Sequence, residues 1–252
     1  MTRVQIIRRK RRWIILSVFL AVIALLCIGF AVYVGSYYHA AEEAVQAMSV
    51  IDDISVNRTD RDALVFVPPE PKAGLIFYPG GKVEYTAYSP LMRACAEEGF
   101  LCVLVKMPCN LAVLDMNAAD GIAEQYPEIE NWYIGGHSLG GAMAAAYAAE
   151  HSGDLNGLIL LAAYSTKNLG DSDLGVLSLY GSEDQVLNLE KYEEYKTNLP
   201  ADAVEVIIDG GCHAGFGNYG PQKDDGVPVI TYKEQIAQTS KEIAEVFLKT
   251  AG

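Results

Sequence analysis

The sequence predicts an α/β fold: a mostly parallel central sheet flanked by helices and preceded by a single transmembrane helix. Three observations carry this. From residue 50 onward, apolar runs of four to eight residues alternate with helix-like segments, and strands apolar on both faces imply a buried parallel sheet. Near the N-terminus lie 22 consecutive uncharged residues, Trp13 to Val34. No internal repeat, low-complexity tract or proline-rich linker divides residues 50–252, so they form one domain.

Residues 1–12 hold six basic side chains (Arg3, Arg8, Arg9, Lys10, Arg11, Arg12) and no acid. At about 1.5 Å per residue the apolar stretch that follows spans the ~30 Å hydrocarbon layer of a bilayer. Trp13 at one end and Tyr33, Tyr37 and Tyr38 at the other suit its two interfaces, and the positive flank stays cytoplasmic. A cleaved signal peptide has a shorter apolar core, about 7 to 15 residues, with an A-x-A site that is lacking here. The layout expected is a cytoplasmic segment (1–12), a single-pass anchor (13–35), a polar stalk or short helix (36–49) and an extracytoplasmic domain (50–252) in the cell membrane.

Of 19 basic residues, removing the first six leaves 13 against 32 acidic ones, a balance of −19 for the rest of the chain. A body so acidic is a poor nucleic-acid partner. Of the five cysteines, Cys27 falls in the anchor, leaving Cys95, Cys102, Cys109 and Cys212. No paired spacing of the metal-binding kind occurs among them, so they read as small buried hydrophobes.

Apolar runs place strands at 64–67, 75–78, 101–106, 132–135, 158–162, 176–180 and 204–208, with an edge strand at 50–56 turning through "NRTDRD". Helix-like segments fall at 85–98, 111–125, 139–150, 189–198 and 233–249, the last with Ile236, Ser240, Ile243 and Phe247 on one face. In such sheets the functional groups gather at the C-terminal ends of the strands.

There the stretch "WYIGGHSLGG" puts Ser138 between a strand and an alanine-rich helix. Strand, sharp turn and helix are the setting of a nucleophile elbow. The glycines at 136 and 140 permit close backbone approach, and the helix dipole favours an oxyanion. A serine hydroxyl needs a base. Of four histidines, His39 is in the stalk, His151 is at the far helix end, and the His137 side chain should diverge from its neighbour Ser138. His213 in "IIDGGCHAGFG" remains, after the last strand. An acid must hold its tautomer. Asp184 in "GSEDQVL" stands at a C-terminal strand edge, with Glu183 as rival, while Asp209 belongs to the wrong strand end. Backbone N–H groups of Leu139 and of the loop "PGGKVEY" supply an oxyanion hole. Gly81 is the choice in that loop, with Gly80 and Lys82 as alternatives. Adjacent Asp224 and Asp225 read as solvated loop acids rather than a metal site. No metal and no cofactor is expected.

Together, "YPGGKVEYTAYSPLMRACAEEGF", "YIGGHSLGG", "LYGSEDQVL" and "GGCHAGFGNYGPQ" resemble the α/β-hydrolase superfamily, and within it the compact bacterial dienelactone-hydrolase-like, or carboxymethylenebutenolidase-like, group. The resemblance covers roughly residues 64–248. It implies the α/β-hydrolase fold and a serine-hydrolase mechanism on Ser138, Asp184 and His213. Dienelactone hydrolases use a cysteine nucleophile where this chain has serine, so the expected reaction is hydrolysis of a small carboxylic ester through an acyl-enzyme. The same triad would serve an amidase or peptidase, and a non-catalytic surface binding protein is the reading from another class. Only "YSTKNLGDSDLG" separates "GLILLAA" from "VLSLY", so no cap domain is expected. Tyr78, Tyr85, Tyr88, Tyr164 and Tyr219 are candidate lining residues of an open site.

Overall fold

The computed structural model describes residues 3–49 and 53–248. The chain divides into two compact units, Met1–Tyr37 and Tyr38–Gly252. The first is one helix, α1 (Arg3–Gly35). Its segment Lys10–Gly35 is long and apolar enough to cross a membrane, and none of it is buried.

The second unit opens with α2 (Glu42–Gln46). An eight-stranded sheet follows, made of β1 (Ser55–Arg58), β2 (Leu64–Val67), β3 (Ala73–Tyr78), β4 (Phe100–Leu104), β5 (Trp132–His137), β6 (Gly157–Leu161), β7 (Gly175–Gly181) and β8 (Val204–Ile208). Their order is β1-β2-β4-β3-β5-β6-β7-β8. The β1–β2 and β2–β4 pairs are antiparallel and all others parallel.

Side chains alternate between two apolar layers, as the pleat requires. Leu75 and Phe77 face one layer with Leu91, Met92, Ile243 and Phe247. Ile76 and Tyr78 face the other with Ala144, Ala145 and Ala148. Helices α3 (Ser89–Glu98) and α6 (Tyr232–Phe247) therefore cover one face, and α4 (Leu139–Glu150) the other. Thr231 and Glu234 start α6 with a capping box. The short α5 (Leu189–Tyr195) starts at an Asn188 cap.

Three expectations shift. The edge strand expected at 50–56 is Ser55–Arg58 in the described part, while residues 50–52 lie outside the described residues. The Thr59 N–H donates to the Ala63 carbonyl and the Ala63 N–H to Thr59 Oγ1, a tight turn that carries the strand on to Arg58. No helix spans 111–125. Short 3₁₀ turns at Ala112–Leu114 and Ala123–Gln125 take its place. The Tyr78 hydroxyl accepts the Ala119 N–H and donates to the Met116 carbonyl, occupying groups that a continuous helix would use. The segment expected at 85–98 starts as a 3₁₀ turn, Tyr85–Tyr88, before α3, whose first turn holds Pro90.

The link between β6 and β7, residues 162–174, is short and carries no helix, so no cap covers this part of the sheet. Cys95, Cys102 and Cys212 are buried free thiols, and Cys109 is exposed.

Candidate active site

Ser138 joins the end of β5 to the start of α4 with φ 52° and ψ −122°, a conformation that few non-glycine residues adopt. Two bonds hold it there: its N–H donates to the Leu161 carbonyl at 2.9 Å, and its own carbonyl accepts the Ala142 N–H at 3.1 Å. The glycine at 140 is required by contact, because a Cβ there would lie 2.3 Å from the Tyr78 and Pro79 carbonyl oxygens. Ser138 itself remains partly exposed.

Asp184 follows β7. Its Oδ1 accepts the N–H groups of Val186 and Leu187 at 2.9 and 2.8 Å. These bonds aim Oδ2 at His213 Nδ1, 2.8 Å away, in a pair whose side chains are almost fully shielded from solvent. With the Nδ1 proton donated to Asp184, Nε2 is left as the basic nitrogen. Among the described residues Nε2 is buried with no hydrogen-bond partner. The structure thus brings Asp184 and His213 together, while no hydrogen bond links His213 to the Ser138 hydroxyl. Such contacts are often long before substrate arrives. The rival acids do not pair with His213: Glu183 accepts from the Ser182 hydroxyl, and Asp209 is exposed.

In the loop after β3 the three candidate donors separate. The Gly80 N–H donates to the Tyr88 hydroxyl at 3.1 Å and the Lys82 N–H to the Asn110 carbonyl at 2.7 Å. Among the described residues the Gly81 N–H has no protein acceptor, nor does that of Leu139 at the first position of α4. The two residues adjoin, since a Cβ on Gly81 would lie 2.8 Å from Leu139 Cδ2.

Sequence reasoning missed three residues here. His137 does diverge from Ser138, but its ring turns inward and packs on His213 with centroids 4.5 Å apart. The Tyr88 hydroxyl, which accepts the Gly80 N–H, is hydrogen-bonded to His137 Nδ1 at 2.7 Å. Burial, with nearby His213 as a smaller cause, holds His137 well below its ordinary pKa, and burial pushes the Tyr88 phenol up. Both are therefore neutral near pH 7. Asp225 is the third. Its carboxylate accepts the N–H groups of His213 (3.2 Å), Ala214 (2.8 Å) and Gly226 (2.8 Å), fixing the base loop, whereas Asp224 is exposed beside Lys223. A carboxylate in a glycine-rich loop, where backbone donors need acceptors, was the available signal.

The other tyrosines do not line the site as a group. Tyr78 supports residues 116–119, Tyr85 bonds Arg58, and Tyr164 stacks on Tyr195. Tyr219 packs on Tyr88 and Tyr38. Burial pushes the thiol of Cys212, beside the base, up to about 11, which suits a packed rather than a reactive cysteine. Among the described residues no three His, Cys, Asp or Glu side chains are grouped to hold a metal ion.

A model of the alpha/beta hydrolase family matches residues 74–237, more than half of the chain and all of the candidate elements. The chain belongs to the alpha/beta hydrolase family. Its fold is like that of dienelactone hydrolase from Anabaena variabilis: TM-score 0.59, 13% identity, 78% of this chain and 98% of that one covered. Est1E from Butyrivibrio proteoclasticus gives TM-score 0.52 at 15% identity, covering 76% and 97%. A CIB-like hydrolase from Thermoplasma acidophilum gives 0.55 at 13% identity, covering 76% and 98%. At these identities the likeness is one of fold. No curated protein matches the chain. This hydrolase thus has a dienelactone-hydrolase-like scaffold with a serine at the strand-to-helix elbow.

Proposed function

We propose that this protein is a membrane-anchored serine hydrolase that cleaves carboxylic esters with Ser138, His213 and Asp184. The observation that carries the proposal is the buried Asp184–His213 hydrogen bond of 2.8 Å, which leaves Nε2 free at the edge of the sheet where the strained Ser138 elbow stands. Ser138 Oγ bonds the acyl carbon as His213 Nε2 takes its proton. The alcohol leaves carrying that proton. Water then delivers its hydroxyl to the acyl carbon, and its remaining proton returns through His213 to Ser138. The N–H groups of Leu139 and Gly81 face the oxyanion of each tetrahedral intermediate. Neither step requires a cofactor.

In this reading residues 1–12 are cytoplasmic and 13–35 are the anchor. Residues 36–49 lead to the hydrolase domain, 50–252, outside the cytoplasmic membrane. The length and charge-free character of the helix support the anchor, and the six basic residues before it support the orientation. The short β6–β7 link, which carries no helix, supports a site without a cap.

Fluorophosphonate labelling of the full chain, with the labelled peptide identified by mass, tests the assignment. Label on Ser138 in the wild type, lost in Ser138→Ala and His213→Ala, is the expected result. A folded wild-type sample that takes up no label would refute it.

A further inference from the structure

The loop that holds Gly81 is stitched to the residues that follow the apolar helix. The Tyr38 N–H donates to the Lys82 carbonyl and the Glu84 N–H to the Tyr38 carbonyl, both at 2.8 Å. The same residues reach the base loop: the Lys223 N–H donates to the Tyr38 hydroxyl at 3.0 Å, and the Ala41 N–H to the Asn218 carbonyl at 2.8 Å. Only Ser36 and Tyr37 separate Tyr38 from Gly35, where the helix ends. Three residues of extended chain reach at most about 11 Å. Tyr38, bonded to the loop that holds Gly81, is therefore tied to that helix by a covalent link only two residues long.

The loops at this edge of the sheet carry unusual apolar exposure. Among the described residues from Tyr38 to Leu248, the exposed large hydrophobic ones number eight. Five of them, Val113, Leu114, Leu189, Val227 and Val229, follow the C-terminal ends of β4, β7 and β8. Val227 and Val229 are 85% and 79% exposed, one on each side of Pro228, and the Val229 N–H is bonded to Gly210 of the base loop. Val113 and Leu114 follow Asn110, whose carbonyl accepts from Lys82. Apolar side chains exposed to water on segments that follow the C-terminal strand ends suit a surface that meets something apolar.

We propose that the substrate is the ester of a membrane lipid, drawn from the bilayer that holds the anchor, with these site loops resting on its surface. The proposal rests on the serine-hydrolase reading and on the helix being an anchor. Water adds across the lipid ester as it does across any other, releasing a fatty acid and leaving the alcohol part in the membrane. Dipping valine and leucine side chains into the interfacial layer would supply the attraction.

The test uses the full chain in phosphatidylcholine nanodiscs that carry a fluorogenic diacylglycerol, beside a water-soluble butyrate ester and the Ser138 label. The variants are Val227→Asp with Val229→Asp, and Val113→Asp with Leu114→Asp, all at exposed positions outside the catalytic groups. The expected result is a fall of about tenfold or more in diacylglycerol turnover, with butyrate turnover within about twofold of wild type. Two results would overturn the proposal: unchanged diacylglycerol turnover in both variants, or a wild type that is labelled and cleaves butyrate but not the lipid. A wild type neither labelled nor active on either ester would instead bring down the hydrolase reading itself, and this one with it.

Discussion

The imidazole of His137 lies against that of His213, ring centroids 4.5 Å apart and planes inclined by 52°. Adjacent in sequence to the candidate nucleophile, His137 packs on the candidate base His213 instead. Tyr88, bonded to both His137 Nδ1 and the Gly80 N–H, extends the contact to the loop that presents Gly81. Ring packing and two hydrogen bonds thus connect the candidate base with the loop of Gly81, and burial keeps both His137 and Tyr88 neutral near pH 7.

Replacing Tyr88 by Phe leaves the buried Gly80 N–H without an acceptor and His137 Nδ1 without its hydrogen-bond partner. An unsatisfied buried polar group costs about 1–3 kcal/mol, so urea denaturation should show a loss of that size. Ester turnover should fall mainly in kcat, because the loop holding the Gly81 N–H loses its anchor while the surface that receives substrate is unchanged. Unaltered stability and unaltered kcat in Tyr88→Phe would show that the chain of bonds has no energetic weight.

The lowered pKa of His137 predicts a sign for the pH dependence of folding. In the unfolded chain this histidine titrates near the ordinary 6.5, and in the folded protein well below it. Above 6.5 neither state carries the proton, and the group contributes no pH dependence. Below 6.5 the unfolded state binds a proton that the folded state refuses, so stability falls by up to about 1.4 kcal/mol per pH unit until the folded value is reached. Denaturation midpoints of wild type and His137→Asn, measured from pH 8 to pH 5, isolate the effect. The wild type should lose stability faster below 6.5, and parallel curves would refute the assignment.

The central strands were legible because β3, β4 and β6 are apolar along their length and buried on both faces. Ser138, Asp184 and His213 were singled out by their places after apolar runs, and the structure brings Asp184 and His213 within 2.8 Å. The neighbours that orient them were not legible. Whether the His137 ring meets His213 depends on how β5 and the loop after β8 come together, and no local pattern encodes that. The segment 111–125 misled for a related reason. Its apolar spacing suits a helix, but the Tyr78 hydroxyl, distant in sequence, takes the peptide groups the helix would need.

Asp225 gives a prediction that separates it from its neighbour. Its carboxylate accepts four backbone N–H groups, those of Gln185, His213, Ala214 and Gly226. Asp225→Ala frees the base loop, and kcat should fall by roughly tenfold or more as His213 loses its fixed position. Asp224→Ala, at an exposed side chain, should leave turnover unchanged. Steady-state kinetics on one soluble ester decides it, and equal effects of the two substitutions would contradict the positioning role.

The glycines around the elbow and those far from it should respond oppositely to alanine. At Gly140 a Cβ would lie 2.3 Å from two backbone carbonyl oxygens, Tyr78 and Pro79, and neither can move without disturbing the end of β3. Gly140→Ala should therefore cost at least about 1–3 kcal/mol, the range of overpacked cores, and displace Leu139 together with its N–H. At Gly153 an added Cβ meets nothing within 4 Å, and no positive φ forbids it. Gly153→Ala should leave turnover unchanged and stabilise by about 0.4–1 kcal/mol, because the unfolded chain loses freedom at no steric cost to the fold. Thermal and urea midpoints of the two variants, measured beside fluorophosphonate labelling, test the pair. An active, stable Gly140→Ala would mean that the elbow is looser than its 2.3 Å approach requires.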